Sequence, residues 1–153
     1  MDLILWRHAE AQELEGKLRD LERVLTRRGN RQASRMAVWL ERQLPEGARI
    51  FTSPAARAVE TAQALGRKFE PRDELLPGAT PDALLQLAGW PHTRRPILIV
   101  GHQPTLGQTV ARLLGMAESE CAIKKGALWW LRSRDRDGAT QTAVITVQAA
   151  ELL

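Results

Sequence analysis

Near the N-terminus, Leu3-Ile4-Leu5-Trp6 forms a short apolar run that stops abruptly at Arg7-His8. Four such residues are too few for a helix, and an unbroken apolar strand implies burial on both faces, as in a parallel sheet. Ligands of open α/β sheets bind beyond the carboxyl ends of the strands. A guanidinium and an imidazole delivered at that edge make an anion clamp with a base or nucleophile beside it.

The same design recurs at Ile97-Leu98-Ile99-Val100, which ends on Gly101-His102-Gln103-Pro104. Between the two runs, strand and helix signals alternate. Thr26 can cap a helix carrying Ala33, Met36, Ala37, Leu40 and Leu44 at helical spacing, closed by Pro45 and Gly47. Arg49 to Thr52 reads as a second strand, and Ser53-Pro54 as the cap and first-turn proline of a helix with Ala58, Val59, Ala62, Leu65 and Phe69 inward. Arg57 falls in the first turns of that helix, where a cation opposes the helix dipole unless an anion joins it.

Glu74 to Leu76 reads as a short edge strand. Thr80-Pro81 starts a small helix that Gly89 ends, and Pro104 starts another that Gly115 ends. Ala127 to Leu131 and Ala143 to Val147 read as a final strand pair turning at Asp135 to Gly138. Glu10 to Leu25 shows no clean period and reads as a long functional loop. His92 reads as a solvated loop residue. The alternation implies a three-layer α/β/α sandwich with a mostly parallel central sheet, and residues 1–153 are expected to form a single domain.

Composition narrows the class. Apolar residues make up 44% and charged residues 26% of the chain, as in ordinary globular proteins, and no apolar run reaches membrane-spanning length. No signal peptide is recognisable at the N-terminus, and Cys121 is the single cysteine, so a cytoplasmic location is expected. The net charge is +4, with basic clusters at Arg27-Arg28, Arg94-Arg95 and Lys124-Lys125. No aromatic residues interleave with them, which argues against nucleic-acid binding and leaves acidic or phosphorylated partners.

Two of three histidines thus stand at strand ends, with Arg7 and Arg57 at sheet-edge positions. Together with Thr52-Ser53-Pro54-Ala55-Ala56-Arg57-Ala58-Val59-Glu60-Thr61-Ala62 and Val100-Gly101-His102-Gln103-Pro104, the Arg7-His8-Ala9 segment resembles the histidine phosphatase superfamily. That family has a phosphoglycerate mutase-like fold and an Arg-His-Gly mark. The run Asp20, Arg23, Leu25-Thr26, Gly29 is similar to the small SixA-type phosphohistidine phosphatases. The resemblance implies that His8 is the nucleophile and becomes phosphorylated, that Arg7, Arg57 and His102 hold the phosphoryl oxygens, and that Arg23 contributes to substrate binding. It implies no cofactor and no metal.

Phosphoryl transfer spreads charge over the transferred oxygens, so positive charge and positioning carry the catalysis. Ala9 replaces the motif glycine. No Gly-x-x-Glu-Gly segment supplies the acid found in mutase-type relatives, which leaves Glu10, Asp20, Glu22, Glu74 and Asp82 as candidates. A phosphohistidine substrate leans little on such an acid, since imidazole leaves more easily than an alkoxide. The strands and helices follow one another closely, without room for a cap subdomain.

The expected substrate is therefore a phosphohistidine on a protein, such as a histidine-phosphotransfer domain. The alternatives are a small phosphate ester turned over by a phosphomonoesterase or mutase, and a phosphate-binding module without turnover. The last has no need of His8. No P-loop is present, Cys121 lacks the arginine of a cysteine phosphatase, and Asp135-Arg136-Asp137-Gly138 reads as a turn rather than an aspartate-nucleophile site. Zinc at the histidines is disfavoured by Arg7 beside His8.

Overall fold

The computed structural model describes residues 1–153. One six-stranded sheet runs through it, built from β1 (Asp2–Arg7), β2 (Arg49–Thr52), β3 (Glu70–Pro71), β4 (Ile97–Gly101), β5 (Leu128–Arg136) and β6 (Ala139–Gln148). The strand order is β3-β2-β4-β1-β5-β6. The first four are mutually parallel, and β5 and β6 run antiparallel on one edge.

Both faces of the central strands are buried, as the unbroken apolar runs demand. Leu3, Ile4, Leu5 and Trp6 are completely inaccessible, and so are Leu98, Ile99 and Val100. Alternation then divides them. Ile4, Trp6, Leu98 and Val100 pack beneath α1 (Arg27–Gln43) and α2 (Ala56–Gln63) through Met36, Ala37, Leu40, Ala58 and Ala62. Leu3, Leu5, Ile97 and Ile99 face α3 (Pro81–Ala88) and α4 (Thr105–Leu114) through Leu84, Ala88, Leu106 and Val110. The result is the three-layer α/β/α sandwich.

Helix ends follow the capping residues. Thr26 Oγ1 accepts from Gly29 N at 2.9 Å to open α1, and Thr80 Oγ1 accepts from Ala83 N at 3.1 Å to open α3. Each cap stabilises by about 1 kcal/mol. Gly89 and Gly115 close α3 and α4 in the left-handed conformation.

Three local expectations are corrected. Helix α2 starts at Ala56, not at Ser53, because the chain bends over Ser53 to Ala55 first; Phe69 lies beyond its end and reaches the core from the following loop. The edge strand is Glu70–Pro71, paired with Phe51 and Thr52, while Asp73–Leu75 form a 3-10 turn that drops Leu75 into the core. Pro71 suits an edge, where its missing N–H is no loss. The final hairpin is longer than its apolar segments, because its distal half is a polar ribbon held by the backbone ladder and a Thr140 Oγ1 to Asp135 Oδ1 hydrogen bond of 3.1 Å. No helix is long and apolar enough to cross a membrane.

The long loop after β1 is a strap with pinned feet. Ala11 bridges to Leu25, Gln12 N donates to Val24 O at 2.8 Å, and Leu25 N donates to Glu60 Oε2 at 3.0 Å on α2. Its 3-10 turn, Asp20–Glu22, is thereby held against the start of α2.

Candidate active site

Sheet register brings three chain segments to one point. Arg7 lies opposite Gly101, and Val100 lies opposite both Trp6 and Thr52. The residues that follow, His8, His102 and Ser53, therefore leave three adjacent strands side by side. The helices after β1 and β4 cover opposite faces, so these neighbours open a crevice between them. A cavity of about 260 Å³ lies there, lined by Arg7, His8, Arg23, Arg57 and His102 together with Lys125, Gln103, Pro77 and Ala11. All five residues expected at the site are thus together.

His8 is 7% exposed, and its Nδ1 stands 2.8 Å from Ala9 O. A carbonyl can only accept, so Nδ1 carries the proton. Burial, with Arg57 and Arg7 nearby, pulls the His8 pKa down to about 4. The ring is neutral near pH 7, and the Nε2 lone pair is free. Ala9, in place of the motif glycine, is fully buried against Leu25 and Ala33, and its N–H donates to Thr61 Oγ1 at 3.0 Å. Its methyl fills this small cluster, so the change from glycine fits.

His102 lies with its ring centroid 5.2 Å from that of His8. Its Nε2 is 2.7 Å from Ser53 Oγ, and that oxygen accepts from Ala55 N at 3.2 Å. Burial first, then His8 and Arg57, lower its pKa to about 3. The Ser53 hydroxyl proton can be directed to Nε2 of this neutral ring, which places the ring proton on Nδ1. Ser53 was legible only as a helix cap; its position at the end of a neighbouring strand was the available signal.

Arg57 is 4% exposed on the first turn of α2. The anion its place demands is supplied by the strap: its Nη2 is 3.2 Å from Asp20 Oδ2, and its Nη1 donates to Asp20 O at 2.9 Å. Arg23 Nε donates to the other carboxylate oxygen at 3.0 Å. Burial raises the Asp20 pKa, but Arg57 and Arg23 outweigh it and hold the carboxyl below its usual value. Arg7 Nη1 donates to Ile123 O at 2.7 Å, orienting its guanidinium from the loop before β5.

Of the acid candidates, only Asp20 is at the site. Glu10 turns to Arg28, Glu22 to Arg19, Glu74 to Arg72 and Asp82 to Arg112. Lys125 was missed, because it arrives through a tertiary contact: Gly126 N donates to Arg7 O and His8 O at 3.2 and 3.1 Å.

Buried side-chain polar atoms without a hydrogen-bond partner are few, and all are here: Arg7 Nε, Arg57 Nε and His102 Nδ1. Orphaned donors of this kind mark a site rather than a core. No three His, Cys, Asp or Glu side chains stand close enough to hold a metal ion.

The model of the histidine phosphatase superfamily (branch 1) matches residues 3–78. A Haemophilus influenzae protein named phosphohistidine phosphatase SixA homolog is 33% identical over 132 residues, spanning 75% of this chain and 78% of that one. The chain belongs to the histidine phosphatase superfamily. Among solved structures, the protein histidine phosphatase SixA complexed with tungstate superposes with a TM-score of 0.77 at 25% identity, covering 99% of each chain. A mycobacterial glucosyl-3-phosphoglycerate phosphatase with inorganic phosphate shares the fold, with a TM-score of 0.75 at 15% identity over 98% of each chain. The fold is thus phosphoglycerate mutase-like, and the chain resembles SixA-type members of the superfamily along nearly its whole length.

Proposed function

We propose that this protein is a phosphatase that works through a phosphohistidine on His8 and acts on phosphohistidine carried by a protein. One observation carries the reading. The Nδ1–H bond to Ala9 O holds a neutral His8 ring with a free Nε2 lone pair, beside Arg7, Arg57 and His102. A nucleophile is thereby ready without a general base, and the cations beside it match the charge that develops on the transferred oxygens.

In the first step, His8 Nε2 forms a bond to phosphorus as the bond to the substrate ring nitrogen breaks; the substrate ring, protonated at its other nitrogen, keeps the electron pair and leaves as neutral imidazole. In the second, water attacks the same phosphorus, the P–Nε2 bond breaks with its electron pair returning to His8, and the protons of the water stay with the inorganic phosphate. Arg7, Arg57 and His102 hold the phosphoryl oxygens through both steps. Arg23 and Lys125 border the entrance.

The state of Asp20 supports the choice of substrate. A carboxylate kept ionised by two guanidiniums is an acceptor, so it is a poor proton donor for an alkoxide leaving group. An imidazole leaves without that help. The expected outcome is a higher kcat/KM on a phosphorylated histidine-phosphotransfer domain than on glycerate or sugar phosphates, measured side by side. A small ester turned over at least as well would move the assignment to a small-molecule phosphomonoesterase or mutase.

A further inference from the structure

Two basic clusters far apart in the chain meet beside the site. Lys124 and Lys125 precede Gly126, and Gly126 packs so closely on Gln32 of α1 that an added Cβ would stand 3.2 Å from the Gln32 Cβ. Gln32 is buried, with its Oε1 accepting from Glu10 N at 2.9 Å. Around it on the same face of α1 stand Arg28, Arg31 and Arg35, one helical turn apart, bordering a shallow depression with Glu151. A basic surface thus leads from Lys125 at the cavity, past Lys124, to the arginine row.

Only Arg28 among these cations has a carboxylate partner within the protein, although Glu151 borders the same depression. Arg28 has a long contact, 3.6 Å, with Glu10. Arg31, Arg35, Lys124 and Lys125 form no ion pair, whereas Arg49, Arg67, Arg112 and Arg132 elsewhere each hold a carboxylate. All four unpaired cations are exposed. On the strap, Leu21 and Val24 expose 46% and 38% of their surface next to Arg23. No large aromatic side chain is among the exposed apolar residues, so a stacking platform for bases is lacking.

We propose that this face, from Lys125 and Lys124 across Gln32 to Arg31 and Arg35, docks an acidic protein surface that surrounds the substrate phosphohistidine. The assignment rests on the phosphohistidine-protein reading above and adds the partner's chemistry: acidic side chains opposite α1, apolar side chains opposite Leu21 and Val24. Unpaired rim charges steer and orient a partner rather than act on the transferred group. The docking face therefore governs encounter with a phosphoprotein and leaves the reaction of a small phosphoramidate alone.

The test compares the wild type with an Arg31→Glu, Arg35→Glu double variant and with Lys124→Glu, all as full chains whose folding is checked by circular dichroism. The two substrates are an acidic histidine-phosphotransfer domain phosphorylated on histidine and the free amino acid phosphohistidine. The expected result is a KM for the phosphoprotein raised about tenfold or more, with kcat/KM on free phosphohistidine held within about twofold. Raising salt from about 50 to about 300 mM should reproduce the loss in the wild type.

An unchanged KM on the phosphoprotein overturns the docking face. So does an equal loss on free phosphohistidine. Failure of the substrate reading is separate: it shows in the wild type, as a small ester processed better than the phosphoprotein, and the docking assignment then falls with it.

Discussion

Asp20 shows how a single side chain sets the balance of charge at the site. Its carboxylate bridges Arg57 and Arg23 at 3.2 and 3.0 Å, where an incoming anion would also seek guanidinium donors. Asp20→Asn keeps the shape and one acceptor while removing the charge. Inorganic phosphate or tungstate should then bind about fivefold more tightly, since one opposing charge near a protein surface is worth on the order of 1 kcal/mol after screening. Calorimetric titration checks this, and weaker binding in the variant would make Asp20 an organiser of the arginines instead. The roles of individual residues were unequally legible. His8, His102 and Arg57 stand at strand ends or on a first helical turn, where local pattern reveals them. Asp20 was one of five equivalent acids, because only the path of the strap singles it out.

At the scale of elements, the strap and α1 are fitted to the strand that carries His8. An added Cβ on Gly29 would stand 1.9 Å from Glu10 O, so the first turn of α1 rests on the backbone two residues past His8. Gly29→Ala must push the two apart, and a loss of about 2 kcal/mol or more is expected. Gly47→Ala has open space around it and should stay within about 0.5 kcal/mol of the wild type. Thermal unfolding of the two variants decides, and equal stability would contradict the close fit. The helices themselves were readable from caps and periodicity: Thr26, Thr80, Gly89 and Gly115 all stand where α1, α3 and α4 begin or end. The misplaced elements had a common cause. The bend at Ser53 to Ala55 and the strand at Glu70–Pro71 are set by partners on and just past β4 and on β2, which one-dimensional pattern does not contain.

Across the whole molecule, the site carries a cost that pH exposes. His8 and His102 are neutral in the fold, with pKa values lowered to about 4 and about 3 from 6.5. The unfolded chain therefore binds protons that the folded one refuses. Their contribution to stability is complete above 6.5 and is lost as pH falls toward those folded values. From about pH 7 to about pH 5, denaturant titration should show a loss of about 2 kcal/mol for each histidine. His8→Gln should halve that slope, and a stability that rose on acidification would contradict the buried neutral pair. The layered fold and its mostly parallel sheet were legible from two apolar runs and the alternation of elements. The joined basic face was not, because Gly126 meets Gln32 only after folding. The central claim is that His8 is the atom-bearing group in phosphoryl transfer, and trapping tests it most directly. Incubation with a radiolabelled phosphorylated histidine-phosphotransfer domain, followed by rapid alkaline quench and peptide mapping, should place acid-labile, alkali-stable phosphate on His8. His8→Ala should carry none and turn nothing over. Turnover without label on His8, or turnover surviving in His8→Ala, would contradict the account.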